Sequence, residues 1–394
     1  MEVKQVATLI NDTTNEIIGI ENVINEDLTN VVDAGEQIFN NTSYDHFVKS
    51  LVDHIGRVKF VDRKYTGNTL ALLRDSWEYG SVLEKISAGL PIATENESWE
   101  LEDGTSYDPN VFTKPDVSAK FFNKRVTFEI PLSIADKQVK SAFSSATQLN
   151  AFVSMLWGMV DKSMECKLEA LASRTVNSFI GSTIANEFPS VSDNDYSGVT
   201  GVKAINLLKL YNTQFGLTGA NALTKDNCLF APEFIRFAVR TINLTLSRMR
   251  RLSTLFNVGG TPKFTPNDLQ HVILLSDFKT SADVYLQSDT FHDEFTRLPK
   301  ATEVPYWQGS GTGFALGSVG NVHVEVPNGD STKEINISHV LGVAFDHEAC
   351  MIACLDERTT FNYNGKAEFT NYWRKLECGL IRDENENFVV FFVA

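Results

Sequence analysis

The chain has 394 residues, 43% of them hydrophobic and 22% charged, with a formal net charge of −15. That is enough apolar material for one large or two modest cores. The acid excess argues against a protein that grips nucleic acid, because phosphate affinity comes from clustered Lys and Arg.

The opening run Met-Glu-Val-Lys-Gln-Val lacks the basic and apolar regions of a secretory signal. The longest apolar runs, Phe152–Val160 and Phe388–Ala394, are too short to span a bilayer. Five scattered cysteines (Cys166, Cys228, Cys350, Cys354, Cys378) read as buried free thiols of a reducing compartment, not as a disulfide framework.

Residues 1–43 are polar and acidic, with short helical patches such as Val3–Ile10, and read as an N-terminal arm. Within Tyr44–Val61, Phe47, Leu51, Val52 and Ile55 form the apolar face of an amphipathic helix stopped by Gly56. Leu73–Ile130 reads as two extended limbs around an acidic tip running from Glu95 to Pro109. Limbs of ~15–20 residues at ~3.3 Å each would reach ~50–65 Å, beyond a body whose radius of gyration should be near ~21 Å. A lone two-stranded ribbon is marginal in water, so this arm needs a surface to lie on, and a second copy of the chain is the natural one. The return limb Val117–Ile130 changes parity at Phe121-Phe122, which predicts a bulge there, and Pro131 ends it.

Ser145–Phe179 carries apolar residues at three- and four-residue steps (Leu149, Phe152, Leu156, Val160, Met164, Leu168), one helix of about ten turns with one apolar stripe. A polar loop, 181–198, follows as a candidate domain boundary. A mixed α/β region then runs to about Val326, with helices near Val202–Tyr211 and Pro232–Arg248 and a buried strand at Val272–Leu275. The last sixty residues or so are strand-rich: Val340–Phe345, Ala349–Leu355, Arg358–Tyr363, Asn371–Ile381 and Phe388–Val393.

The sites of possible chemistry are weak. His347, Glu348, Cys350 and Cys354 lie within eight residues, but the spacer and the missing second pair do not match a zinc site. Alternation instead puts Cys350, Ile352 and Cys354 on one face of a strand. Asp193 to Gly198 copies half a calcium loop, yet Ala204 stands where the bidentate glutamate belongs, so it reads as a polar turn. Gly309–Gly313 has neither a Walker lysine nor dinucleotide-binding spacing and reads as a flexible loop. Arg248, Arg250 and Arg251 close a helix, where cations complement the dipole, and offer an intersubunit ion pair to an acidic tip. No catalytic, cofactor or metal site is expected.

The order of parts resembles the tailed-bacteriophage major capsid protein of the Hong Kong 97-type fold, closest to the phi-twenty-nine-like small podophage proteins. Phe47–Val58, Asp268–Asp277 with Asp283, Val284 and Phe291, and the closing run Tyr372–Asn387 carry the resemblance. It implies an α+β fold: an N-terminal arm (1–43), a peripheral domain with a spine helix (44–72 and 131–184), an extended β-hairpin loop (73–130), an axial α/β domain (185–338) and closing peripheral strands (339–394).

It also implies a shell of pentamers and hexamers, each loop lying over a neighbour's spine helix and anchored by Trp77, Tyr79, Trp99, Phe112, Phe121 and Phe122, with Arg248, Arg250 and Arg251 as the interface cations read from the residues. Implied partners are other copies, a separate scaffolding protein, the portal, and passively enclosed double-stranded DNA, with no membrane and no cofactor. Lys85, Lys114, Lys120, Lys124 and Asn364 are candidates for the family's occasional Lys–Asn crosslink. An encapsulin-like compartment shell and a soluble α+β enzyme with Gly309–Gly313 as a lid remain the alternatives.

Overall fold

The computed structural model describes residues 3–19, 24–25, 73–76, 83–91, 93, 95, 99, 101–110, 112–135, 146–287, 298–307, 316–328 and 331–394. The Tyr44–Val61 helix, Trp77, Tyr79 and Gly309–Gly313 lie outside them. The chain divides into two compact units.

The first unit comprises Met1–Tyr65, Ile130–Met164 and Thr360–Trp373. It holds α1 (Val3–Ile18), a single helix where only short patches were expected. The Asn11 side chain closes on the backbone of Ile24 with two hydrogen bonds of 2.7 Å. Trp157 and Tyr372 meet edge to face at 5.3 Å between centroids.

The second unit comprises Thr66–Glu129, Glu165–Thr359 and Arg374–Ala394, and its core is a five-stranded sheet. The sheet is built from β5 (Ala204–Asn206), β6 (Gln270–Leu275), β7 (Thr302–Val304), β10 (Val340–Asp346) and β13 (Phe388–Phe392), in the order β5-β13-β10-β6-β7. Every residue of β10 and β13 is buried, as continuous apolar strands covered on both faces should be. Alternate residues of β13 face opposite layers. Val389, Phe391 and Val393 join a core with α3 (Leu207–Gln214), α4 (Pro232–Met249) and α5 (Ser276–Gln287). Phe388 instead stacks on Phe179, at 4.0 Å between centroids. Pairing shifts register between Val340 and Gly342, and a Cβ at Gly342 would collide with Leu274 and the Ile273 carbonyl. Only glycine lets the strands approach that closely.

Phe179 belongs to α2 (Ala146–Glu187), a helix of 42 residues, or ~63 Å. It overruns the expected loop at 181–198 and stops just before Phe188 and Pro189. The single stripe holds as far as Leu171. From Thr175 to Ile184 almost every side chain is buried, so the apolar signal goes round the helix instead of along it. Its buried hydroxyls are satisfied locally: Thr175 and Thr183 donate to carbonyls four residues back at 2.8 and 2.9 Å. The helix expected over Val202–Tyr211 begins later, as α3, because Ala204–Asn206 joins the sheet. The Asn206 side chain then caps α3 by accepting from the Lys209 amide.

A second sheet has the order β1-β11-β12-β4, from β1 (Arg74–Ser76), β4 (Arg125–Ala135), β11 (Cys350–Asn364) and β12 (Phe369–Arg382). Two expected strands merge into β11. Residues 339–394 are thus no single closing set: β10 and β13 pair in one sheet, β11 and β12 in the other. Pro131 does not end its strand either, because β4 runs through it to Ala135. Among the described strands β4 pairs on one side only, with β12, and its Pro131 is exposed, as suits proline on an edge strand. Sequence reading also missed the hairpin of β8 (Val322–Asn328) and β9 (Ser331–Ile337).

Candidate functional site

The extended segment forms a short antiparallel ribbon of β2 (Leu83–Ala88) and β3 (Val117–Phe122), with six residues paired on each side. That is ~20 Å of strand, far less than the limbs expected. Its register sorts the side chains. Leu83 faces Phe122, Lys85 faces Lys120 and Ser87 faces Ser118 on one side; Glu84 faces Phe121, Ile86 faces Ala119 and Ala88 faces Val117 on the other.

The first face is turned to the body of the chain. Phe122 is buried with Met351, Ala353 and Ile381, and Leu83 packs against them. This corrects the expectation that Phe122 anchors the loop to a neighbour: it anchors the ribbon within its own subunit. The strand breaks at Asn123 and Lys124, not at Phe121-Phe122, so the parity change marks the exit of the chain from the ribbon into β4.

The lysines of this face reach the turn between β12 and β13. Lys85 Nζ lies 3.0 Å from Asp383 Oδ2 and 2.7 Å from Glu386 Oε1. Lys120 Nζ lies 3.0 Å from Asp383 Oδ1, and Lys263 Nζ 2.9 Å from Glu386 Oε1. Both carboxylates are buried. Burial alone would raise the Asp383 pKa, but hydrogen bonds from Lys120 and Lys85, with the Lys85 charge, hold it below the usual carboxylate range. Burial would likewise lower Lys85, and Glu386 and Asp383 outweigh it and raise the amine. The turn is itself well tied: Asp383 N–H donates to the Ala349 carbonyl at 2.8 Å and the Asn387 amide to Thr265 Oγ1 at 3.0 Å.

The opposite face of the ribbon is apolar apart from Glu84 and open to solvent, with Ile86, Phe121 and Val117 between 56% and 65% exposed. Beyond the ribbon the acidic tip makes a turn at Gly104, whose φ of +86° is left-handed. Tyr107 Oη accepts from the Glu102 amide across it at 3.2 Å. Trp99 and Phe112 stand 88% and 84% exposed.

Arg248, Arg250 and Arg251 are exposed at the end of α4, where Arg250 donates to Asn267 Oδ1 at 2.7 Å. Of the crosslink candidates, Lys85 and Lys120 are held in the ion cluster, and Asn364 Oδ1 accepts from the amides of Lys366 and Ala367 in the β11–β12 turn. Asp193 to Ser197 forms a polar turn through Asx bonds, with Asp193 and Asp195 each accepting from the amide two residues on.

The thiols correct the sequence reading in part. Cys228, Cys350 and Cys378 are buried, whereas Cys166 and Cys354 are exposed. Met351 and Ala353 are as buried as Cys350 and Ile352, so this stretch does not alternate. Among the described residues no group of three His, Cys, Asp or Glu side chains is placed to hold a metal. Nor, among them, is any helix long and apolar enough to cross a membrane.

The Lys–Asp–Glu clasp was missed because its members are distant in sequence: Lys85 and Glu386 are 301 positions apart, Lys120 and Asp383 263. One signal was available. Asp383 to Asn387 is a wholly polar run between two apolar strands, and a short turn that ends up buried has to satisfy its charges.

The family model of the Phi29-like phage major capsid protein matches residues 6–392. No curated protein matches the chain significantly. Among solved structures, a chain of the capsid of Staphylococcus phage Andhra is similar at a TM-score of 0.53 and 9% identity, over 86% of this chain and 87% of that one. A chain from the structure of head fiber and inner core protein gp22 of native bacteriophage P68 is similar at 0.52 and 7%, over 86% and 88%. At such identities these likenesses concern the fold.

Proposed function

The chain belongs to the Phi29-like phage major capsid protein family, and on that premise we propose that it closes into a Hong Kong 97-type icosahedral head as rings of five and six copies. Its role is structural, not enzymatic, and its place is the virion.

One observation supports the assembly reading above the others: the ribbon is built inside out. Its lysines turn inward to a buried clasp, while Ile86, Phe121 and Val117 turn outward. Fully burying a large apolar side chain is worth about 1.5–3 kcal/mol, so a monomer would gain by the reverse arrangement. The outward face makes sense once a second copy covers it. We place Trp99, Phe112 and Phe121 at that contact, and Trp77 and Tyr79 with them on the family resemblance. Repetition by symmetry lets a modest contact suffice.

A net charge of −15 suits passive enclosure of DNA, because an acidic wall repels the packaged phosphates. A separate scaffolding protein and the portal complete the assembly partners on the same resemblance.

Deleting residues 95–108 tests this. The variant should purify as a folded subunit with wild-type circular dichroism and form no closed shells by electron microscopy when co-expressed with scaffolding protein. Shells of normal size from the deleted chain would refute the reading.

A further inference from the structure

Two surfaces of this chain complement one another in charge and in apolar content, and neither is covered by the described residues of one copy. The first follows α4. Arg240, Leu244 and Arg248 are exposed at four-residue steps, the spacing that lines side chains along one side of a helix. Beyond the helix end, Ser253 and Lys263 exchange a pair of 3.0 Å backbone hydrogen bonds as an antiparallel bridge. That register sets Leu252 opposite Phe264, and the two are 50% and 54% exposed.

Between residues 240 and 269 stand five cations, Arg240, Arg248, Arg250, Arg251 and Lys263, against the single carboxylate of Asp268. Lys263 is occupied by Glu386, and the hydrogen bond of Arg250 goes to the neutral Asn267. The result is a basic, partly apolar patch on a chain that is strongly acidic overall.

The second surface is the ribbon tip. Its described residues include Glu95, Glu102, Asp103, Asp108 and Asp116 against one lysine, Lys114, together with exposed Trp99, Leu101 and Phe112. Patch and tip differ, and every copy carries one of each. Their pairing can therefore run head-to-tail from copy to copy, the heterologous contact that closes rings. A two-fold contact of the patch with itself would set arginine against arginine.

We propose that the surface of Arg240, Arg248, Arg250, Arg251, Leu252 and Phe264 is the seat for the acidic tip, residues 95–116, of the next copy. The proposal rests on the shell reading and completes the surface around the three arginines with Arg240, Leu252 and Phe264. Arginine forks pair with carboxylates, and guanidinium groups stack on aromatic faces such as Trp99. Leu252 and Phe264 give the apolar tip residues a surface to cover. Exposed ion pairs are screened by salt, so the contact should weaken steeply as ionic strength rises.

The test is a charge swap in two formats. A fluorescent peptide spanning residues 95–116 should bind the full-length wild-type chain and bind Arg248→Glu/Arg250→Glu/Arg251→Glu at least ten-fold more weakly, the variant keeping its wild-type urea midpoint. The peptide carrying Glu102→Lys, Asp103→Lys and Asp108→Lys should reverse that preference. In the full-length chain each triple variant alone should form no closed shells, and the two combined should restore them. Failure of the wild-type peptide to bind, equal binding by the reversed patch, or no rescue by the swap overturns the seat. Normal shells from the reversed patch alone refute the seat and leave the shell reading intact. Correct peptide swapping without shells from any chain refutes the shell reading and leaves the seat intact.

Discussion

Lys85 and Lys120 stand directly opposite each other across the ribbon, and Asp383 takes one of them on each carboxylate oxygen, at 3.0 Å in both cases. Like charges facing across strands destabilise a pairing. Here the repulsion is answered by one buried carboxylate from a remote turn, which makes the ribbon's seating depend on that turn. The same device leaves the other ribbon face free to be apolar. The seating of the loop on its own subunit and its surface for the next are two sides of one strand register.

Removing Asp383 should therefore loosen the ribbon before it unfolds the subunit. Breaking a buried ion pair costs about 3–5 kcal/mol when the orphaned charge stays buried. Lys85 and Lys120 can escape that cost if the ribbon lifts into water, so the loss should appear as local opening. In Asp383→Ala, amides of 83–88 and 117–122 should exchange with deuterium at least ten-fold faster while those of β10 and β13 keep their protection. Unchanged exchange in the ribbon would show that the clasp does not hold it.

Stability should depend on pH in three windows. His271 lies 3.0 Å from His347, and burial, with His347 adding to it, lowers its pKa below 6.5. A group depressed in the folded state contributes stability above its unfolded value and loses it as pH falls. The urea midpoint should begin to drop below about pH 6.5 for this reason. Asp383 follows the same sign below its ordinary 3.8. Lys85 is raised, so its contribution is complete below 10.5 and lost as pH climbs beyond it. His271→Gln should flatten the limb between pH 5 and 7; an unaltered slope there would assign it to other groups.

Packing at the buried end of α2 makes both the removal and the addition of side-chain volume costly. Phe179→Ala removes a ring stacked on Phe388 and should cost ~3–5 kcal/mol in urea unfolding. Gly181→Ala would normally stabilise a helix interior by ~1 kcal/mol. Here the added methyl overlaps the Val324 side chain, with Val326 close behind, and the expected outcome is a loss of ~1–3 kcal/mol. A stabilised Gly181→Ala would mean that the β8–β9 hairpin gives way.

Thiol chemistry separates the cysteines. Burial pushes Cys228 and Cys350 up to about 12, and Cys378 is buried as well. With a chromogenic disulfide at neutral pH, the native chain should release two equivalents quickly, from Cys166 and Cys354, and the remainder only on unfolding. Rapid labelling of Cys350, located by peptide mapping, would contradict its burial.

The amino-acid sequence by itself determined the elements whose signal is local. The apolar steps from Phe152 to Leu168 predict the long helix, and the runs at Val272–Leu275, Val340–Phe345 and Phe388–Val393 predict buried strands, because periodicity and burial on both faces are written within a few residues. The acid excess was equally legible, as were the quoted stretches that carry the family resemblance. Tertiary structure alone decided which strands pair. It put β10 and β13 in one sheet with β5 and, among the described strands, set β4 last in the other, with Pro131 inside it. It also turned Phe122 inward and Phe121 outward. The clasp was decided in the same way, since a lysine and a carboxylate hundreds of positions apart carry no mutual signal until folding removes water from both. Local patterns fix what a segment can become; burial shared between distant segments fixes what it touches.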